Sequence, residues 1–271
     1  MEAALQRRIQ RYGWDKAAQY YEDFWHEQLK PAQDLLLELA DLQPGEQVLD
    51  IACGTGLVSF EAADRIGNKG HLTGTDISDK MVEMASALAT QKGVKTACFE
   101  RMDAEELTCD DGTFDAALCA LGLMYVPDPA KALSEMYRVL KPAGRAVAAV
   151  WGKRTNCGWA DIFEIVDRHV ASEVCPMFFN LGNVNMLELH MKEAGFKDIT
   201  TRRINTLLQY KNADDALGAA FAGGPVALAY HKFSDAVKDE VHRDYLNSIS
   251  AYKKGEGYEI PGEFVVAKGT R

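Results

Sequence analysis

One short stretch, residues 47–57 with the sequence QVLDIACGTGL, constrains the fold of this chain more than any other. Its first half is typical of a buried strand that ends in the carboxylate Asp50, and Gly54 and Gly56 then turn the chain sharply. Residues 58–66 can form a helix whose N-terminus points back at the turn. Backbone can approach a ligand closely at such a junction, where the first N–H groups of the helix face outward. The stretch therefore predicts a ligand-binding loop.

Strand and helix patterns alternate from residue 45 to residue 151. The predicted strands in this part are 48–52, 70–77, 95–102, 114–121 and 144–151, and the predicted helices are 58–66, 78–91 and 129–140. Strands that are separated by helices of this length imply right-handed crossovers and a parallel, doubly wound sheet. Two further strands, 199–210 and 263–268, bring the prediction to a mostly parallel, seven-stranded α/β sheet with helices on both faces.

The remaining residues are predicted to close over this core within one domain, 1–271. Residues 1–44 have a helical pattern in which Pro31 can open a second helix. If the strands before them run parallel to the first strand, two inserted segments leave from carboxyl ends, where open α/β sheets bind ligands. We call residues 1–44, 152–184 and 211–258 the lid, residues 45–151 the cofactor-binding core, and residues 185–210 and 259–271 the closing helix and strands.

Three carboxylates predict what the loop binds. A dinucleotide loop needs a third glycine, but Ser59 stands in that place, and Asp50 would repel a pyrophosphate. Asp76 ends the second strand, where an acid usually accepts hydrogen bonds from ribose hydroxyls. Asp103 follows the third strand and can meet the exocyclic amine of a base. An adenosine that carries a cationic amino-acid arm suits all three carboxylates.

Several motifs in this region resemble those of a known family. They are VLDIACGTG at 48–56, GTDIS at 74–78, MDAEEL at 102–107, FD at 114–115 and RVLKPAG at 138–144. In this order they resemble the motifs of class I S-adenosylmethionine-dependent methyltransferases, within the branch that includes the ubiquinone/menaquinone-biosynthesis C-methyltransferases. The resemblance is strong over residues 45–151. It implies a Rossmann-like methyltransferase fold, S-adenosylmethionine as cofactor and S-adenosylhomocysteine as product.

The resemblance also implies a role for each matching residue. Gly54 and Gly56 would pass under the methionine arm, with Asp50 close to its amino group and Ala120 lining the same half of the cofactor. Asp76 would bind the ribose hydroxyls. The remaining cofactor residues would be Ile77 and Met81 against the adenine, Asp103 and the N–H of Ala104 at its polar edge, and Tyr21 closing over the cofactor. Met81 is as often a core residue, and Tyr21 more often a packed aromatic.

The methyl acceptor and any catalytic base stay open at this stage. Residues 121–128 and 219–228 are apolar and are the candidates for contacting an aromatic or quinone-like small molecule. A base is needed only when the acceptor must first lose a proton, and the candidates are His169, His190, His231, Tyr20, Tyr21 and Tyr125. The alternatives are methylation of nitrogen, oxygen or sulfur in another metabolite, and a protein that binds the cofactor without transferring methyl groups.

Composition narrows the partners. The formal net charge of −10 makes nucleic acid a poor partner, and no apolar run reaches the length that spans a bilayer. Residues 1–10 lack the apolar stretch of a signal peptide, and the six cysteines show no metal-ligand spacing. We expect a cytoplasmic protein with reduced, buried cysteines and no metal, which acts on a small molecule and can form a homodimer.

Overall fold

The structure is a computed structural model that describes residues 2–171, 175 and 177–271. Its strands are β1 (Gln47–Ile51), β2 (His71–Asp76), β3 (Ala97–Arg101), β4 (Phe114–Ala120), β5 (Leu140–Trp151), β6 (Lys197–Tyr210), β7 (Lys253–Lys254) and β8 (Gly257–Thr270). Its helices are α1 (Ala3–Ala40), α2 (Leu57–Ile66), α3 (Asp79–Lys92), α4 (Pro129–Val139), α5 (Ile162–Asp167), α6 (Met186–Glu193), α7 (Ala213–Leu217), α8 (Ala227–Tyr230) and α9 (Asp235–Ser248).

The strands form one sheet in the order β3-β2-β1-β4-β5-β8-β6, and the two-residue strand β7 pairs with β8. The pairs among β1 to β5 are parallel, and β8 runs antiparallel to both of its neighbours. Because β6 is antiparallel to β8, it runs in the same direction as β1. This arrangement, with helices on both faces, confirms the predicted mostly parallel sheet, to which β7 adds a short eighth strand.

The strand order reverses between β1 and β4, which are neighbours although two strands separate them along the chain. Open α/β sheets bind their ligands in the crevice at the carboxyl ends of the strands on either side of such a point. The parts of these two strands beneath the crevice are apolar and fully buried: Val48, Leu49, Ala116, Ala117 and Leu118. The 47–57 stretch ends in this crevice.

The N-terminal region differs from its prediction, because residues 3–40 form the single helix α1 with Pro31 inside it. Proline removes one backbone hydrogen bond from a helix interior. Leu29 and Ala32 on either side of Pro31 are both buried, as are Leu36 and Leu37 in the following turn. Burial of one continuous apolar stripe thus keeps the two halves of α1 on the same packing surface.

Both predicted insertions follow strands that run parallel to β1. The first insertion, 152–184, contains a shorter helix than the sequence pattern indicates: α5 covers Ile162–Asp167 rather than residues 159–171. Residues 172–174 and 176 of this insertion lie outside the described residues. The second insertion, 211–258, contains α7, a π-helical turn at Gly218–Ala222, α8 and α9. None of the described helices is both long and apolar enough to cross a membrane.

Candidate functional site

A cavity of about 1200 Å³, counting the space at its mouth, opens at the carboxyl ends of the parallel strands. The chain segments at the ends of β1, β2, β3, β4 and β5 all contribute to its wall, together with α1 and both insertions. Of the ten predicted cofactor residues, eight line this cavity: Tyr21, Gly54, Asp76, Ile77, Met81, Asp103, Ala104 and Ala120. Asp50 and Gly56 do not belong to the described lining.

Asp76 joins the glycine loop to the start of α3. Its two carboxylate oxygens accept hydrogen bonds from the backbone N–H groups of Gly54 and Ser78, both at 2.9 Å. Burial nevertheless raises the pKa of Asp76 to about 6, and these N–H donors oppose the rise. The carboxylate therefore both shapes the loop and lies at the cavity wall, where it can accept from the hydroxyls of a bound ligand.

Asp50 lies deeper than the sequence indicates. The prediction placed it at the mouth of the loop, but only 1% of its surface is exposed and Ser59 Oγ donates to Asp50 Oδ2 at 2.5 Å. Its other oxygen, Oδ1, has no hydrogen-bond partner among the described residues. Burial raises the pKa of Asp50 to about 7. The serine in the place of a third glycine thus holds this carboxylate beneath the loop, and its contact with a cofactor stays a prediction.

Gly56 has a structural role that the sequence pattern indicates only in part. It precedes the first residue of α2 with φ +95°, in the left-handed region where a side chain is strained. A Cβ atom there would lie 2.8 Å from the ring of Phe60. Gly54, with φ +56°, would place a Cβ atom 3.7 Å from the ring of Tyr21. Close packing against a ring thus requires glycine at Gly56, whereas at Gly54 the left-handed backbone is what favours glycine.

Ala52 is a site residue that the sequence did not predict, whereas Leu121 begins the predicted acceptor segment 121–128. They follow β1 and β4, line the cavity and have φ values of +55° and +64°. Left-handed backbone is unfavourable for residues that carry a Cβ atom, and such strain clusters at functional sites. A Cβ atom on Gly122 would lie 2.4 Å from that of Ala52, so glycine is required between the two strand ends.

One end of the cavity, which we call the cofactor end, suits an adenine. Ile77, Met81 and Met102 provide apolar surface there, and Ala104 lies beside them. Asp103 Oδ1 accepts a hydrogen bond from the N–H of Glu105 at 2.9 Å, which fixes the carboxylate at the edge of the cavity. Met81 is 2% exposed, so it serves as core as well as cavity wall.

Arg7 is a further site residue that the sequence did not predict. It extends from α1 into the cavity wall, and its Nε lies 2.9 Å from Asp103 Oδ2. The Nη2 atom of the same side chain contacts Glu105 Oε2. No local motif surrounds Arg7, and 96 positions separate it from Asp103 in the sequence, so only the folded arrangement brings them together.

The opposite end of the cavity is aromatic and uncharged. Among the described lining residues, the charged side chains are Arg7, Asp76 and Asp103, and all three lie at the cofactor end. A continuous series of ring contacts, with centroids 4.8–6.3 Å apart, runs along the wall through Tyr21, Trp14, Tyr125, Phe178, Trp159, Trp151 and Trp25. This series joins the glycine loop to the second end of the cavity.

The polar groups at this aromatic end are hydrogen-bond donors. Tyr210, the last residue of β6, and Tyr245 on α9 are buried and line the cavity, and burial raises the pKa of both phenols. The buried indole N–H groups of Trp25 and Trp159 have no partner in the described part of the chain. Buried donors normally have partners, so this end suits a ligand with oxygen acceptors. Both predicted acceptor segments contribute, through residues such as Leu121 and Pro225.

The candidate bases separate into two groups. Tyr21 and Tyr125 line the cavity, whereas Tyr20, His169, His190 and His231 are not among its described lining residues. Burial raises the pKa of Tyr21 and Tyr125 well above the ordinary value for a phenol. Both phenols therefore stay protonated at neutral pH and act as hydrogen-bond donors rather than bases. The structure assigns no base among the described residues.

The described residues contain no cluster of three His, Cys, Asp or Glu side chains that could hold a metal ion. All six cysteines are free; Cys98 and Cys109 are partly exposed, and the other four are buried. The cavity fits S-adenosylmethionine because a glycine loop, the Asp76 carboxylate and an apolar end bounded by Asp103 follow one another along its wall. Fold and site together define a class I methyltransferase.

Comparison with known proteins agrees with this class. Residues 48–144 match a family model described as a methyltransferase domain. Demethylmenaquinone methyltransferase from Listeria monocytogenes is 35% identical over 134 residues, which are 49% of this chain and 56% of that protein. The chain thus spans little more than half the length of such relatives. The enzyme of the same name from Staphylococcus epidermidis is 31% identical over 195 residues, which are 65% of this chain and 78% of that protein.

The fold is shared with solved structures of low sequence identity. The YcgJ protein from Bacillus subtilis superposes with a TM-score of 0.63 at 18% identity, covering 89% of this chain and 98% of that protein. At this identity the likeness shows the fold alone. With the family model and the 31% identical relative, the chain belongs to the S-adenosylmethionine-dependent methyltransferases, the family whose cofactor is S-adenosylmethionine.

Proposed function

We propose that this protein transfers a methyl group from S-adenosylmethionine to an aromatic, quinone-like small molecule. The observation that carries this proposal is the division of one cavity into a charged end with a glycine loop and an uncharged aromatic end with buried donors. The relatives named demethylmenaquinone methyltransferase support the same class of acceptor.

In this proposal each end of the cavity has one task. S-adenosylmethionine supplies an activated methyl group when it is bound. Asp76 accepts from the ribose hydroxyls, Asp103 and the N–H of Ala104 meet the adenine, and Gly54 and Gly56 shape the loop beneath the methionine arm. Asp50 lies beneath that loop and contributes negative charge toward the amino group. Tyr21 covers the loop, and Ala120 lines the wall on the way to the acceptor.

The lid excludes water and orients the acceptor in this proposal. Trp25 from residues 1–44, Trp159 from residues 152–184 and Tyr245 from residues 211–258 line the same end of the cavity. An uncharged, flat acceptor suits this end because a charged one would lose its hydration without finding an ion-pair partner. Alignment of the reacting atoms supplies a large share of the rate of such displacements. The single domain 1–271, with its lid, is part of the proposal.

Three finer expectations belong to the same proposal. A reducing, cytoplasmic environment agrees with the six free thiols, since disulfides form and persist mainly in oxidising compartments. Formation of a homodimer and the lack of a nucleic-acid partner stay predictions.

The test uses methyl-labelled S-adenosylmethionine with a reduced 2-prenyl-1,4-naphthoquinone as acceptor. We expect labelled, methylated quinol and one equivalent of S-adenosylhomocysteine for each methyl group transferred. Small amines and thiols, assayed in parallel, separate carbon methylation from nitrogen and sulfur methylation, and NMR of the product separates it from oxygen methylation. Tight binding of S-adenosylhomocysteine without transfer to any acceptor would contradict an enzymatic role.

A further inference from the structure

The first half of α1 makes a series of polar contacts along the cofactor end of the cavity. Gln6 Nε2 donates to the backbone oxygen of Tyr125 at 3.2 Å. One turn further on, Arg11 Nε donates to Asp79 Oδ2 at 3.1 Å. Asp15 then accepts from Ser78 Oγ at 2.7 Å. These contacts hold α1 across the segments that follow β2 and β4.

Arg7 is the member of this series that reaches the cofactor site itself. It pairs at once with Asp103, at the cavity wall, and with Glu105, whose side chain is fully buried. Glu105 uses its other oxygen, Oε1, to accept from the N–H of Asp128 at 2.5 Å. A buried carboxylate is costly unless it is paired and hydrogen-bonded, so Arg7 supplies the charge that Glu105 requires.

The same contact with Arg7 also restrains the carboxylate of Asp103. One oxygen of this carboxylate accepts a hydrogen bond from the N–H of Glu105, and the other forms an ion pair with Arg7 Nε, which has no hydrogen-bond partner among the described residues. The backbone N–H and the charge of Arg7 together restrain the position of the carboxylate. The proposed function places the amine of the adenine at this carboxylate. Any group bound there must share Asp103 with a side chain that belongs to α1.

We propose that Arg7 is a positioning residue of the cofactor site, which orients Asp103 for the adenine and keeps α1 closed over the cofactor until the ion pair opens. The inference rests on the proposed function. Arg7 would therefore control how fast the cofactor leaves, and it would do so through Asp103 and Glu105 rather than through general anchoring of the helix.

The experiment measures binding and dissociation of S-adenosylhomocysteine by calorimetry and stopped-flow fluorescence in the full chain. Arg7→Gln should raise the dissociation rate at least about 10-fold. Arg11→Gln is the matched control: it removes the ion pair with Asp79 one turn further along α1, and neither residue is among the described lining of the cavity. We expect the Arg11 variant to remain within about 2-fold of the wild type.

Two further readouts separate positioning from folding. Arg7→Gln leaves the buried carboxylate of Glu105 without its cation. If this single variant unfolds, the double variant Arg7→Gln/Glu105→Gln is measured instead, because it removes both charges of that ion pair. Raising the salt concentration from 50 to 500 mM should speed dissociation from the wild type and have little effect on either Arg7 variant, because screening weakens ion pairs that are partly exposed.

Each outcome decides the inference. Equal dissociation rates in the wild type and the Arg7 variants would overturn it, and so would equal acceleration in the Arg7 and Arg11 variants, since the contact would then only anchor α1. If the wild-type protein bound no S-adenosylhomocysteine, the proposed function itself would be wrong.

Discussion

The two ends of the cavity are built in different ways. The cofactor end holds the charged residues Asp76 and Asp103, which come from chain segments at successive strand ends in the parallel part of the sheet. The aromatic end holds Trp25, Trp159 and Tyr245, which come from α1, from the segment after β5 and from α9. The first end thus depends on the sheet, whereas the second depends on how three separate parts of the chain pack over it.

Specificity for the cofactor and specificity for the acceptor therefore reside in different parts of the chain. The cofactor end has the carboxylates and the glycine loop that a cationic nucleoside requires. The aromatic end offers ring surface and donors without charge. If the division is correct, a substitution at one end should alter the binding of one ligand and spare the other.

The largest effect is expected at Asp76. In Asp76→Asn the amide has one accepting oxygen, so one of the two N–H donors of Gly54 and Ser78 loses its partner, and the acceptor for the ribose weakens. Hydrogen bonds to charged groups contribute about 1.5–3 kcal/mol each, so affinity for S-adenosylhomocysteine should fall about 100-fold in calorimetry. Asp79→Asn, at a partly exposed position on the first turn of α3, should change this affinity less than about 3-fold. Equal losses would contradict the assignment.

Tyr245 tests the other end. Tyr245→Phe keeps the ring and removes the hydroxyl, so we expect the KM for a quinol acceptor to rise about 10-fold, in the range of one lost hydrogen bond. The affinity for S-adenosylhomocysteine should not change. Tyr258→Phe is the control, because Tyr258 is buried on β8 and is not among the described lining residues. A loss of cofactor affinity in the Tyr245 variant would break the division between the two ends.

The pH dependence of cofactor binding tests the buried carboxylates. Burial raises the pKa of Asp50 to about 7 and that of Asp76 to about 6, so each holds a proton at low pH. In the proposed function the ligand's ammonium group lies near Asp50 and its ribose hydroxyls donate to Asp76, so binding favours the charged form of both carboxylates. Affinity for S-adenosylhomocysteine should therefore rise several-fold between about pH 5.5 and 7.5, with protons released on binding.

Two controls accompany this measurement. Asp50→Asn should remove the part of the rise that is centred near pH 7 and keep the part near pH 6. Without ligand, the free energy of unfolding should fall as the pH rises through 6 and 7, because the folded state retains protons that the unfolded state loses near pH 4. Affinity that does not vary with pH would show that the ligand interacts with neither carboxylate.

The smallest effect concerns the strained loop. Ala52→Gly should stabilise the protein by less than about 1 kcal/mol, because relief of a left-handed alanine is partly offset by the flexibility of the unfolded glycine. Ala143→Gly, at φ +64° in β5, should give a similar gain in the melting temperature. Only the Ala52 variant should also weaken S-adenosylhomocysteine binding, by about 2-fold, because its loop becomes less rigid. If both variants changed binding equally, the strained backbone at Ala52 would have no specific role in cofactor binding.

The cofactor end could be predicted from the sequence because its residues lie at characteristic positions relative to the predicted strands. Asp50, Gly54 and Gly56 lie within seven residues, and Asp76 and Asp103 close the next two predicted strands or follow them directly. A parallel sheet brings such strand ends together, so alternation of strands and helices was enough to place them. The depth of Asp50 was not predictable, because it depends on the buried hydroxyl of Ser59.

The aromatic end and Arg7 could not be predicted in the same way. Trp25, Trp159, Tyr210 and Tyr245 each lie in an ordinary amphipathic or apolar pattern, and no spacing connects them. Trp25, Trp159 and Tyr245 meet through the path of α1 and of the two insertions, whereas Tyr210 ends β6. The single helix α1 was itself missed, because Pro31 usually indicates a boundary and only tertiary burial explains why the helix continues.

The central claim, that the cavity's cofactor end binds a cationic nucleoside rather than a dinucleotide, is tested most directly by one calorimetric titration. S-adenosylhomocysteine is added to the wild-type protein in the absence and in the presence of a large excess of NAD. We expect binding of one equivalent with an affinity that NAD does not change. Absence of binding, or displacement of S-adenosylhomocysteine by NAD, would contradict it.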